Sequence, residues 1–134
     1  VNFNGAMDGW DVSGVTNLQS MFGSCSAFNQ PIGNWDTSNV TKLENMFSNA
    51  TSFDQDISAW DIESVTNFNG FMSGATLSTA NYDALLIGWD AQSVSSGESP
   101  NFGSSKYTGG GVAAAARANL ISADGWTITD GGIA

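Results

Sequence analysis

The feature that most constrains the fold of this sequence is a repeat of 25 residues. The clearest copy runs from Trp35 to Ala59 and reads WDTSNVTKLENMFSNATSFDQDISA. Residues 10–34 align with it without a gap, and a third copy begins at Trp60 and keeps the pattern to Thr76. A repeat of this length cannot bury a core alone and becomes stable by stacking on its neighbours. The sequence therefore predicts one continuous stacked coil.

Each copy contains the pattern of a short capped helix. Thr41 is followed three residues later by Glu44, and Thr16 by Gln19, which is the spacing of a capping box. An apolar stripe at helical spacing comes next, formed in the second copy by Leu43, Met46, Phe47 and Ala50. One face of a two-turn helix would bury these side chains. The pattern predicts such a helix in every copy, with the threonines as caps and the stripe in the core.

The second element of the copy is a short strand. The segments FNQPIGNWD at 28–36 and FDQDISAWD at 53–61 are too rich in turn residues for a helix, and Ile32 and Ile57 are their predicted inward residues. Short strands that alternate with short helices predict an α/β solenoid, a leucine-rich-repeat-like right-handed coil with parallel strands along one face. Residues 1–76 would form about three repeats, the first truncated because Val1 opens within a copy.

The remaining residues, 77–134, form a different module that is predicted to cap the coil. A helix starting at Ser78 or Thr79 would bury Tyr82, Leu85, Leu86 and Trp89, and an alanine-rich helix is predicted over Val112–Ala123. Short strands are predicted at Asn101–Lys106 and Trp126–Thr129. Because the open end of a coil exposes both core and strand edge, its terminal module has to differ from the repeats.

The repeat closely resembles that of the BspA-like leucine-rich-repeat surface proteins of bacteria, which reads roughly WDxSxVTxMxxMFxxAxxFNxxI. The likeness covers residues 1–76. It departs at Glu63, where the other copies have serine, and at Phe71-Met72, where they have Met-Phe. The resemblance implies a surface-exposed or secreted protein that takes part in adhesion and protein–protein contact.

Composition excludes several functions. The net charge is −10 with only three lysines and arginines, so phosphate backbones and anionic membranes are repelled. No apolar stretch reaches the length of a membrane span. Histidine is absent, which excludes Ser-His-Asp catalysis and histidine metal sites. The sequence therefore predicts a protein that is not an enzyme, and the single cysteine, Cys25, is predicted to be a small buried residue.

Two columns of the repeat leave alternatives open. Asp11, Asp36 and Asp61 could line up to hold Ca²⁺, which prefers oxygen ligands, or each could close its own Asx-turn, which is the favoured interpretation. Trp10, Trp35 and Trp60 could be stacking platforms for sugar rings, but their fixed place at the end of an apolar unit favours a core position. No cofactor other than this possible Ca²⁺ is predicted.

The predicted binding surface is the strand face, whose candidate residues are Gln30, Asn34, Gln55, Asp56 and Ser58. Their side chains neighbour the inward isoleucines, so replacing Gln30, Gln55 and Asp56 is expected to weaken binding without changing the melting temperature. The favoured function is a non-catalytic extracellular module that binds a protein or glycan on another cell or matrix. A carbohydrate-binding module, with or without Ca²⁺, and a structural spacer or filament subunit that self-associates end to end through the open N-terminal repeat are the alternatives.

Overall fold

The computed structural model describes residues 3–7 and 9–134, so Val1, where the truncated copy is predicted to begin, lies outside them. The described chain is an α/β domain with two helices and two short strands: α1 (Thr79–Asp90), β1 (Lys106–Tyr107), α2 (Val112–Ser122) and β2 (Gly132–Ile133). None of its helices is long and apolar enough to cross a membrane. All four elements lie beyond the repeats, which consist of turns joined by hydrogen bonds.

The three copies lie side by side and pair in parallel. Isolated bridges join Asn17 to Lys42 and Lys42 to Asn67, so equivalent positions of successive copies are neighbours. From Leu18 to Ser24, every second N–H donates to a carbonyl of the next copy at 2.7–3.0 Å. The same bonds join Leu43–Asn49 to the third copy at 2.7–2.9 Å. We call residues 17–25, 42–50 and 67–75 the turn segments.

The turn segments are not the predicted helices. Several of their other N–H groups donate three residues back, as Met21 does to Leu18 and Cys25 to Phe22, which makes each segment a chain of linked turns. Two residues four apart have positive φ in every copy, at Ser20 and Ser24 and at the equivalent positions 45, 49, 70 and 74. A left-handed residue breaks an α-helix, and Asn and Gly at these positions in the other copies tolerate it. The predicted stripe nevertheless lies in the core, where Leu43, Met46, Phe47 and Ala50 are buried.

The threonine column and the strand position also differ from the prediction. Thr41 does not cap a helix, because its N–H and its hydroxyl both donate to the carbonyl of Thr16, at 2.8 and 3.1 Å. The parallel pairing between copies occurs at Thr41 and Lys42 and at their equivalents, rather than around Ile32 and Ile57. Those isoleucines are fully buried, as predicted, but Pro31 has no N–H to donate beside the first of them.

Aromatic columns run through the core perpendicular to the copies. The indoles of Trp35 and Trp60 stack at 6.4 Å with 2° between their planes. Phe28 stacks on Phe53 at 5.9 Å, and Phe22 on Phe47 at 5.7 Å. The column that begins at Phe22 ends in the third copy, where Phe71 meets Phe47 edge-on at 81° because phenylalanine and methionine have exchanged places. Cys25 is buried in the same core, as predicted.

Helix α1 begins and packs as the sequence predicts. The hydroxyl of Ser78 accepts the N–H of Asn81, so Ser78 is the N-cap, and the buried side chains are Tyr82, Leu85, Leu86 and Trp89. The helix also makes contacts that a fourth copy would make. The indole of Trp89 donates to the carbonyl of Ile57, as Trp60 does to Ile32.

The final segments extend the parallel pairing. The N–H of Met72 donates to the carbonyl of Asn101 at 2.7 Å, and Asn101 bridges Thr129. Strands β1 and β2 then pair in parallel, with Lys106 opposite Gly132. Both strands lie later in the chain than predicted, apart from Lys106 itself. Pro100 lacks the N–H that a longer strand at this place would need. Helix α2 confirms the predicted alanine-rich helix.

Candidate interaction surface

Two of the predicted binding residues, Gln30 and Gln55, take part in a side-chain ladder between copies. The carboxamide oxygen of Asn29 accepts the backbone N–H of Asp54 at 2.9 Å, and the side-chain nitrogen of Gln55 donates to the same oxygen at 2.9 Å. One copy earlier, Asn4 accepts from Asn29 and Gln30 with the same distances. We call Asn4, Asn29 and Asp54 the Asn ladder. Both glutamine amides are therefore committed to joining adjacent copies.

The Asn ladder ends on helix α1. The carboxylate of Asp54 accepts the N–H of Ser78 at 2.8 Å and the side-chain nitrogen of Asn81 at 2.9 Å. An aspartate replaces asparagine at this last position, where a negative charge lies at the N-terminus of a helix and is favoured by the helix dipole. The repeat aligns Asn29 with Asp54 and Gln30 with Gln55. It does not show that the glutamine side chains bond to the preceding copy rather than point to solvent.

The other predicted binding residues lie at a turn corner. Asn34 and Asp56 are exposed, and Ser58 is half-buried with its N–H donating to the Asp56 carboxylate at 2.9 Å. The two exposed residues belong to adjacent copies whose backbones touch, since a β-carbon on Gly33 would lie 2.4 Å from the carbonyl oxygen of Asp56. The structure thus places Gly33, the neighbour of Asn34 in the chain, against the backbone of Asp56 and leaves the side chains of Asn34 and Asp56 accessible.

The aspartate column lies on the same corner and closes Asx-turns, as the favoured interpretation predicted. A carboxylate oxygen of Asp36 accepts the N–H of Ser38 at 3.0 Å and its hydroxyl at 2.6 Å. Asp11 makes the same pair of bonds to Ser13, while Asp61 accepts the N–H of Glu63. Within the described residues, no three or more acidic or cysteine side chains gather as a metal site would require.

These hydrogen bonds favour the ionised form of the aspartates in the column. The serine hydroxyl and N–H that each carboxylate accepts lower the pKa of Asp11 and of Asp36. The charge of Asp11 opposes this effect at Asp36, so the two carboxylates sense each other. Both are ionised at neutral pH. We call the exposed residues of this corner the acidic strip: Asp11, Asn34, Asp36, Asp56 and Asp61.

The tryptophan column is core except at its first member. Trp35 and Trp60 are 5% and 0% exposed, whereas Trp10 is 52% exposed, so the predicted core position is wrong for Trp10. The Nε1 atoms of Trp35, Trp60 and Trp89 donate to carbonyls 28–32 residues earlier in the chain, those of Met7, Ile32 and Ile57. Among the described residues Trp10 has no preceding copy to cover its ring.

A family model described as Mycoplasma protein of unknown function, DUF285, matches residues 1–107. The chain belongs to this family. No curated protein and no solved structure matches it. The match covers every repeat, helix α1 and strand β1, so the DUF285 unit includes the first part of the capping module as well as the copies.

The part of this DUF285 chain beyond residue 107 is held in place by a partly buried ion pair that the sequence analysis missed. Arg117 on α2 donates from Nε to the Asp130 carboxylate at 2.8 Å, and the hydroxyl of Tyr82 on α1 donates to the same carboxylate. The guanidinium also lies 4.8 Å from the ring centre of Tyr107. Burial raises the pKa of Asp130, but hydrogen bonds from Arg117 and Tyr82 outweigh it and hold the pKa below its ordinary value.

Proposed function

We propose that this chain is a non-catalytic, extracellular adhesion module that binds protein partners through the acidic strip. We further propose that it is a leucine-rich-repeat-like solenoid of the BspA-like class, coiled in a right-handed sense. The resemblance of the repeat and the pairing of equivalent residues in successive copies support the class. The family description gives no function, so the proposal depends on surface chemistry.

The acidic strip is the observation that carries the binding role. Its carboxylates recur once per copy and stay exposed, while the turn bonds fix one oxygen of each carboxylate in position. Because the carboxylates are held in position, they present a regular negative electrostatic potential to a partner. Little side-chain conformational entropy is lost when the partner binds. The neighbouring copies supply Asn34 and Asp56 as polar groups beside that row. A partner with a basic, elongated contact surface fits this arrangement.

The test uses charge-neutralising changes that keep the turns. Asparagine can accept the same turn hydrogen bond as aspartate, so Asp36→Asn with Asp61→Asn removes two charges and preserves the local fold. We expect binding to an array of purified extracellular proteins to weaken at least about fivefold, together with a loss of salt dependence. The matched control, Asp90→Asn with Asp124→Asn, makes the same charge change in the capping module and should bind like the parent. Equal loss in both double variants would reject the strip as the contact surface.

Carbohydrate binding is a second candidate, and the exposed indole of Trp10 is the observation that favours it. An accessible aromatic ring can stack on a sugar ring. Glycan-array binding that is lost on Trp10→Ala, or on addition of a chelator, would support this candidate. Protein-array binding that is unaffected by both treatments supports the favoured one.

A further inference from the structure

Two Asn-Gly pairs occur in the chain, at Asn4-Gly5 and at Asn69-Gly70. An asparagine followed by glycine can lose its side-chain amide, because the backbone nitrogen of glycine reaches the asparagine Cγ without hindrance from a side chain. The rate in a folded chain depends on whether hydrogen bonds hold the carboxamide and that nitrogen in other positions. The two pairs differ in this respect.

The carboxamide of Asn4 is held in the Asn ladder. Its oxygen accepts the backbone N–H of Asn29 at 2.9 Å and the side-chain nitrogen of Gln30 at 2.9 Å. To turn toward the nitrogen of Gly5, this carboxamide has to leave both donors. That step is unfavourable, because two hydrogen bonds between adjacent rows are lost. We therefore expect Asn4 to react slowly in the folded chain.

The carboxamide of Asn69 is not held in this way. The residue is exposed, and within residues 3–7 and 9–134 only its backbone makes hydrogen bonds. Its N–H donates to the side chain of Asn67 at 3.0 Å, and its carbonyl accepts the N–H of Asn45 at 2.9 Å. The N–H of Gly70 donates to no group in the same part of the chain. The two groups that react are thus adjacent, exposed to water and not engaged elsewhere.

The fold requires the glycine of this pair but not its asparagine. Gly70 has a φ of 65°, and a β-carbon there would lie 2.1 Å from Oδ1 of Asn45. A side chain at residue 70 would therefore be strained and would displace Asn45. Residue 69 is not constrained in this way, since the first and second copies have Gln19 and Glu44 at the equivalent position. A change at residue 69 alone can remove the pair and keep the turn.

We propose that Asn69 is a site of spontaneous deamidation in the folded chain. The deprotonated backbone nitrogen of Gly70 forms a bond to Cγ of Asn69. The side-chain nitrogen takes up a proton and leaves as ammonia, which produces a cyclic imide. Water then adds to either carbonyl of the imide and opens the ring, which gives aspartate or isoaspartate. The reaction consumes one water molecule, releases one ammonia molecule and involves no oxidation or reduction.

Deamidation at this residue weakens the pairing between the second and third copies. In isoaspartate the main chain passes through the former side chain and is one atom longer. The carbonyl that accepts the N–H of Asn45 then becomes part of a carboxylate outside the main chain. Both products also add a negative charge at the position equivalent to Glu44 in the adjacent row, and like charges on paired rows repel. The modification is independent of the acidic strip.

The test is a peptide map of the full chain after incubation in neutral and in mildly alkaline buffer. Mass spectrometry distinguishes asparagine, aspartate and isoaspartate at residues 4 and 69. We expect residue 69 to deamidate at least about tenfold faster than residue 4, because two hydrogen bonds have to break at Asn4 first. Both rates should rise with pH, since the attacking nitrogen is deprotonated. In urea that unfolds the chain, the two rates should converge.

Two protein variants provide the controls. Asn69→Gln keeps an amide, matches the first copy and should abolish the reaction at residue 69 while the free energy of unfolding stays unchanged. Gln30→Ala removes one donor from Asn4 and should speed up the reaction at residue 4 about threefold or more, with residue 69 unaffected. The proposal is overturned if residue 69 reacts no faster than residue 4 in the folded chain, or if it reacts only in urea. It is also overturned if Gln30→Ala accelerates both residues equally, because the reaction would then take place in the unfolded chain.

Discussion

The indole nitrogen of Trp89, on a helix, donates to the carbonyl of Ile57 at 3.2 Å and so repeats a bond that belongs to the copies. Trp60, which follows a turn and lies outside any helix, makes the same bond to Ile32 at 2.9 Å. A helix thus takes the place of a fourth copy by reproducing its contacts with different backbone geometry. The capping module also reproduces one backbone bond of the copies, since the N–H of Met72 donates to the carbonyl of Asn101 as Phe47 does to Phe71.

Replacing Trp89 tests how strongly this match stabilises the fold. Trp89→Phe removes one of the two hydrogen bonds that the Ile57 carbonyl accepts, leaving the N–H of Trp60, and opens a cavity beside Phe68 and Phe71. We expect the free energy of unfolding in urea to fall by about 2–3 kcal/mol. The matched change Trp10→Phe, at an exposed indole, should alter it by no more than about 0.5 kcal/mol. Equal effects of the two changes would contradict this account of the cap.

Replacing Gln55 separates a structural role from a binding role. Its amide joins two copies through Asn29, so Gln55→Ala should lower the free energy of unfolding by about 1 kcal/mol. Asn34→Ala removes an exposed amide and should stay within about 0.5 kcal/mol of the parent. This reverses the expectation from sequence that changes at Gln30 and Gln55 spare the melting temperature. A Gln55 variant as stable as the Asn34 variant would restore that expectation.

Two glycines allow the energetic cost of a left-handed backbone conformation to be measured separately from the cost of a steric clash. Gly97 and Gly103 have φ of 75° and 63°, but a β-carbon on Gly103 would lie 1.9 Å from the Ala75 carbonyl oxygen, whereas Gly97 has open space. Gly97→Ala should cost about 1 kcal/mol, for the left-handed conformation alone. Gly103→Ala adds a clash between the third copy and the cap and should cost at least about 3 kcal/mol. Chemical denaturation of both variants gives the comparison, and equal costs would argue against close approach at Gly103.

The ion pair between Arg117 and Asp130 predicts a dependence of stability on pH. Because the pKa of Asp130 is lowered in the folded chain, the unfolded chain binds its proton first as the pH falls. The stability from this group is present above the unfolded pKa of about 4 and is lost as the pH falls through the folded pKa. The gap in unfolding free energy between the parent and Asp130→Asn should therefore narrow from about pH 5 to pH 2. A gap that stays constant with pH would mean that the charge of Asp130 adds nothing.

Much of the fold could be predicted because the repeat marks it. The period, the buried columns, the Asx-turns and both helices of the capping module follow from local spacing and side-chain chemistry. The capping-box interpretation failed because the groups that would form the helix bond to adjacent copies instead: the hydroxyl of Thr41 donates to Thr16 in the preceding copy, and turn N–H groups donate to the following copy. Nothing within one copy tells whether the N–H of Ser20 bonds along its own segment or across to Glu44.

The sequence by itself determined where the chain repeats and which columns of apolar side chains form the core, since both depend on residue type and spacing. Only the tertiary structure decided how the polar groups pair: turns in place of helices, glutamines of the Asn ladder in place of free binding residues, and an exposed Trp10 in a column of buried indoles. The physical reason is that apolar character is a property of a side chain, whereas the covering of one ring and a hydrogen bond between copies depend on atoms 24–28 residues away.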